Sequence, residues 1–196
     1  MLERKEKHHL YQSLLRDSRL FDLLLRLDED LAEETRRAGC ACGGTLHSAH
    51  YERKPRGGPE GFSAAGTLRF SFCCAEEGCR RRAKPPSLRF LERKVFFGAV
   101  VLLVPVLRDG ATPRRLGRLR EEFGVSARTV RRWCRFWREV FVSSRLWAAL
   151  RGRFPMPLAA ASMPRSLLEA FCVDQVSDRV IAALRLVSSL GTSQAP

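Results

Sequence analysis

Apolar residues at Leu20, Leu23, Leu24, Leu27 and Leu31 recur at steps of three and four, the period of one face of an amphipathic helix. Residues 2–37 therefore read as two helices with a break at Asp17-Ser18, forming a helical arm over 1–37. The acids Asp28, Glu29, Asp30, Glu33 and Glu34 follow, so this arm is not expected to favour DNA. It is expected to pack on the body of the protein or to pair with another subunit. The period changes at Gly66–Phe72, GTLRFSF, whose alternation predicts a short strand with Leu68, Phe70 and Phe72 on one face. Beyond it, a helix through Phe96, Val100, Val101, Leu103 and Val104 is apolar nearly all round, as the buried centre of a three-helix domain should be. Ser87 is placed to cap it, and Pro105 and Gly110 to end it.

The next stretch alternates between two kinds of surface. Leu116, Leu119 and Phe123 share a helical face that starts near Pro113, and Gly124 supplies the permissive backbone of a tight turn. Val125 points inward, and Ser126 is a good N-cap for a second helix. There Val130, Trp133, Cys134, Trp137 and Phe141 form one apolar stripe, while Arg128, Arg131, Arg132, Arg135 and Arg138 occupy the rest. This is the pattern of a helix-turn-helix with an arginine-rich second helix, which enters a DNA major groove with its N-terminal residues leading. Arg128, Arg131 and Arg132 would lie nearest the bases, with Arg135 and Arg138 further along the groove or on phosphates, and Ser126 and Thr129 belong to the same DNA-binding set. The tail reads as a helix through Leu146, Trp147 and Leu150, a proline-rich linker over 154–164, and helical spacing from Ser166 to Leu190. That last element would be a helical cap or a partner-binding surface, and the closing GTSQAP is expected to be disordered.

Charge sharpens the picture. The formal net charge is +14, and residues 80–138 carry 17 of the 35 basic side chains but 4 of the 21 acids. Such clustering captures polyanions by releasing condensed counterions. Within the block, Arg80, Arg81, Arg82 and Lys84 precede Pro85-Pro86 and form an extended connector that could track a phosphate backbone or enter a minor groove. A membrane partner is not expected, because the apolar run Val95–Leu107 has 13 residues, where a span needs about 20. The N-terminus lacks a secretory pattern, so a cytoplasmic location is expected, nucleoid-associated in a bacterium.

Five of the seven cysteines fall in one window, as CACGG at 40–44 and CCAEEGC at 73–79. Two such knuckles can supply four thiolates to a tetrahedral Zn2+, and the preferred set is Cys40, Cys42, Cys74 and Cys79. Because only one residue separates Cys40 from Cys42, Cys73, His47 and His50 stand as alternates; otherwise Cys73 faces the small core. Glycines in both knuckles would let backbone amides turn toward sulfur. Cys134 and Cys172 read as core residues on helical stripes.

CACGGTLHSAHY, RFSFCCAEEGCRRRAKPPSLRF and GVSARTVRRW, in that order, resemble the N-terminal DNA-binding region of insertion-sequence transposases and their accessory proteins, over residues 38–141. The resemblance implies a zinc ribbon followed by a helix-turn-helix, a pair that recognises the ends of a mobile element. The expected architecture is mainly α with a small β zinc ribbon. Its parts are the arm, the ribbon at 38–84, the helix-turn-helix domain at 85–142 and a helical tail at 143–196. No complete catalytic constellation is recognisable, since the acids after Phe141 are Glu169, Asp174 and Asp178 and no sheet is apparent to carry a third ligand at a distance, so a non-enzyme is expected. The expected function is sequence-specific binding of double-stranded DNA, alone, as a homodimer or beside a transposase. The alternatives are a transcription regulator, a recombinase subunit completed by a partner, and a zinc-stabilised scaffold with general affinity for nucleic acid.

Overall fold

A computed structural model describes residues 2–62, 64–91, 94–109 and 111–188; Gly110, expected to end the central helix, and the closing GTSQAP lie outside the described residues. The chain is mainly helical, with small antiparallel sheets and a cysteine cluster. The N-terminal pattern forms α1 (Leu2–Arg16) and α2 (Ser18–Ala38), and Asp17 between them accepts a 3.0 Å hydrogen bond from the Arg19 amide as N-cap. The buried face of α2 is Leu20, Phe21, Leu24, Asp28 and Ala32, whereas Leu23 is exposed.

Of the five acids on α2 from Asp28 to Glu34, Asp28 is buried and the other four are exposed. Asp28 is 1% exposed and accepts hydrogen bonds from the Ser87 hydroxyl, the Leu88 amide (2.6 Å) and Arg89 Nε (2.8 Å). Arg89 is fully buried and also donates to the carbonyls of Gly66 (2.8 Å) and Leu68 (3.0 Å). Every strong group of the pair is thus met, which is the condition for keeping two charges out of water. The node fastens α2 to the connector, and Ser87 is used here rather than as a helix cap. The connector is correspondingly not a free arm throughout: its basic start is exposed, but Leu88, Arg89, Phe90 and Leu91 are buried.

The central helix α3 (Gly98–Arg108) follows Phe97 without a side-chain cap and is buried from Gly98 to Leu107. Pro105 lies inside it and does not end it. A proline there leaves the carbonyl four residues back without its helical donor. That carbonyl belongs to Val101, and it accepts a 3.0 Å hydrogen bond from the buried Trp137 indole. The tertiary donor replaces the local one, so the helix continues.

Among the described residues, five short strands lie between α2 and α3: β1 (Leu46–Ser48), β2 (Tyr51–Glu52), β3 (Leu68–Arg69), β4 (Phe72–Cys74) and β5 (Arg82–Ala83). β4 sits between β1 and β5, and β2 pairs with β3, all antiparallel. The expected single strand is divided at Phe70-Ser71, its halves pairing with different partners. Leu68, Phe70 and Phe72 nonetheless share one cluster with Leu46, Cys74 and Ala32 of α2.

After α3 come α4 (Pro113–Glu122) and α5 (Ala127–Arg135), then a π-helical stretch at Phe136–Phe141. The tail forms α6 (Arg145–Leu150), α7 (Arg165–Glu169) and α8 (Val176–Ser188). α1 and α8 both pack on α3, and one apolar cluster runs from Tyr11 to Val187. Arm and tail are therefore parts of the body, and the tail caps its core. Cys134 is buried as expected; Cys172 is exposed, because the helical pattern breaks between α7 and α8 where it stands. No helix among the described residues is long and apolar enough to cross a membrane.

Candidate metal centre and basic helical face

The first knuckle hangs between the end of α2 and β1, and the second between β4 and β5, so the β1–β4 pairing brings their cysteines together. Leu46 lies opposite Cys74 in that register. Backbone hydrogen bonds shape the first loop: the Cys40 amide donates to the Gly44 carbonyl (3.0 Å) and the Gly43 amide to the Cys40 carbonyl (2.8 Å). In the second, the Cys79 and Arg80 amides both donate to the Glu76 carbonyl, at 3.0 and 3.1 Å.

The sulfur atoms of Cys40, Cys42, Cys74 and Cys79 all lie within 4.8 Å of one another. Cys40 and Cys79 are 3.6 Å apart, and Cys42 and Cys74 3.5 Å. A tetrahedral ion with metal–sulfur bonds of about 2.3 Å requires sulfur–sulfur edges of about 3.8 Å. Two of the six edges lie near that figure and none exceeds 4.8 Å, so the four thiols could hold a metal ion. Electrostatics within the cluster are uneven. The Gly44 amide, helped by the neighbouring thiols, brings the Cys42 thiol down to about 7, while burial pushes Cys74 up to about 12. The Arg81 amide pulls Cys79 down, but Cys42 and burial leave it raised. A dication would reverse the cost of deprotonating the last two.

Gly44 is required by close approach: a Cβ there would stand 2.8 Å from Cys74 Sγ and 3.3 Å from Cys42 Sγ. Gly78 has no such role, since a Cβ would meet nothing within 4 Å. The left-handed residue of the second knuckle is instead Arg80, at φ 47°.

Among the described residues the alternates stand apart from this group. Cys73 faces away from its neighbour Cys74, with its thiol 3.5 Å from the Arg80 carbonyl, and does not enter the small core. His47 is exposed opposite Cys73. His50 Nδ1 is engaged with Ser71, either donating to its carbonyl (2.9 Å) or accepting from its amide (3.2 Å) according to tautomer.

The second candidate region is α5. Thr112 caps α4 by accepting from the Arg115 amide (3.4 Å), with Pro113 as the first helical residue. Gly124 takes φ 60° in the turn, Val125 is buried, and Ser126 accepts from the Thr129 amide at 3.2 Å. Val130, Trp133 and Cys134 face the core, followed by Trp137 and Phe141. The opposite surface exposes Arg128, Arg131, Arg132 and Arg135, with Thr129 half-buried. Arg135 pairs with exposed Glu139 at 2.8 Å.

Arg138 does not continue this face. It is half-buried and paired with Asp109 at 2.9 Å. Seven residues of α-helix would return Arg138 beneath Arg131, but winding widens at Phe136, which turns it toward the end of α3. Arg80, Arg81, Arg82 and Lys84 are all exposed around the second knuckle and β5.

Sequence reasoning missed the Asp28–Arg89 node, although a signal was present: Asp28 continues the four-residue steps of Leu20 and Leu24 toward Ala32. No family model matches the chain, and no curated protein or solved structure matches it either.

Proposed function

We propose that this chain is a zinc-containing protein that binds double-stranded DNA in a sequence-specific manner, related to transposase DNA-binding regions. α4, the Gly124 turn and α5 act as a helix-turn-helix, and the cysteine module as a zinc ribbon. The observation that carries this reading is the division of α5. One side is sunk in the core, while Arg128, Arg131 and Arg132 stand exposed with no ion pair among the described residues. Unpaired guanidinium groups on a rigid helix suit phosphates and the acceptor edge of guanine. The Ser126 cap leaves the first turn of α5 at the surface, where base-reading residues of such helices lie.

Zinc is the proposed ion because four thiolates at tetrahedral spacing suit it, with no open position for substrate. Its role is to hold β1, β4 and β5 in a module whose own apolar cluster is small. Arg80, Arg81, Arg82 and Lys84 add phosphate contacts. The test is binding of labelled duplexes to Arg131→Ala. We expect a loss of about 1–3 kcal/mol on the preferred sequence and little change on random duplex. Equal loss on both would make Arg131 a phosphate contact, and no loss would remove it from the interface.

A further inference from the structure

A cleft of about 190 Å³ opens between α3, α4 and α5. Its apolar lining comes from Val104, Leu116, Leu119 and Val130, of which Val104, Leu119 and Val130 belong to the buried core. Arg108, Arg120 and Arg131 also line it, one from each helix, and no acid does. None of these arginines forms an ion pair among the described residues. Three cations bordering an aliphatic recess, with no acid among its lining residues, raise the local potential. An acid-free cationic rim over an apolar floor complements one class of molecule: an apolar tail ending in a carboxylate.

We propose that this cleft binds a small aliphatic carboxylate, tail against Leu119 and Val130, carboxylate between the arginines. The cleft is small beside sites of about 300–1,000 Å³ that hold drug-sized ligands, which favours a short chain over a nucleotide or a long acyl group. The arginine fork fits a carboxylate in a bidentate manner, and burial of the tail supplies the remaining affinity. Arg131 belongs both to this cleft and to the DNA-facing set. One guanidinium does not serve both partners at once, so occupancy weakens DNA binding. That consequence alone rests on the DNA-binding reading above.

The test is calorimetric titration of the metal-loaded full chain with octanoate, 1-octanol and inorganic phosphate, without DNA. The expected result is saturable octanoate binding at one site, with octanol and phosphate each at least tenfold weaker. Arg120→Gln and Arg108→Gln should each weaken octanoate about tenfold, while the control Arg145→Gln on α6 leaves it unchanged. Absence of saturation, equal affinity for octanol, equal affinity for phosphate, or indifference to both cleft variants would each overturn the proposal. Because no DNA is present, those failures are separate from failure of the DNA reading. Competition by octanoate against a bound duplex then tests the shared Arg131.

Discussion

Replacing Trp137 with Phe probes the arrangement that lets Pro105 sit inside the central helix. The indole N–H donates to the Val101 carbonyl at 3.0 Å, and Trp137 is fully buried. Phenylalanine keeps an aromatic ring against Phe136 and Phe141 but removes the donor. Leaving a buried carbonyl unmet costs about 1–3 kcal/mol. The smaller ring adds about 1–2 kcal/mol of lost packing. Trp137→Phe alone should therefore destabilise by about 2–5 kcal/mol in urea unfolding followed by circular dichroism. Pro105→Ala restores an amide that can donate to the same carbonyl, so in that background Trp137→Phe should cost only the packing part. The double-mutant cycle should then show coupling of about 1–3 kcal/mol. Coupling below about 0.5 kcal/mol would refute the claim that the indole substitutes for the missing helical donor.

Asp28→Ala leaves Arg89 as an uncompensated buried cation and should cost about 3–5 kcal/mol of unfolding free energy, measured by the same denaturation. Cys42→Ser and Cys74→Ser should each reduce bound metal sharply by mass spectrometry under native conditions, whereas Cys73→Ser retains one ion per chain. Retention by the first two would break the proposed ligand set. Metal affinity should fall with acidification, because each thiol that is protonated in the free protein must give up its proton on binding. Cys74, raised to about 12, and Cys79, also raised, each contribute about tenfold per pH unit throughout the neutral range, and Cys42, near 7, adds a further proton only below that value. Chelator competition between pH 6 and 8 should therefore steepen on the acid side; a flat profile contradicts thiolate ligation.

What the sequence disclosed was local. The break at Asp17, the helix start near Pro113, the Gly124 turn and the Ser126 cap depend on residues within one or two turns of one another, and all four occur. The cysteine set was legible because knuckle spacing is itself local, and only its two halves had to meet. Features set by distant partners were hidden. Pro105 reads as a helix end until Trp137, 32 residues later, supplies a donor. Ser87 reads as a cap until Asp28 claims its hydroxyl from another helix. GTLRFSF reads as one strand until β1 and β2 divide it between them. Arg138 reads as part of the arginine face because nothing in its neighbourhood announces the wider winding at Phe136 or the acid at the end of α3.

The central claim is that α5 reads base sequence while the cysteine module holds zinc. Selection of zinc-loaded protein against random duplex DNA at physiological salt, followed by sequencing of the retained fraction, tests it most directly. The account predicts an enriched motif, with enrichment lost on Arg131→Ala. Retention without enrichment, or no retention at all, would contradict it.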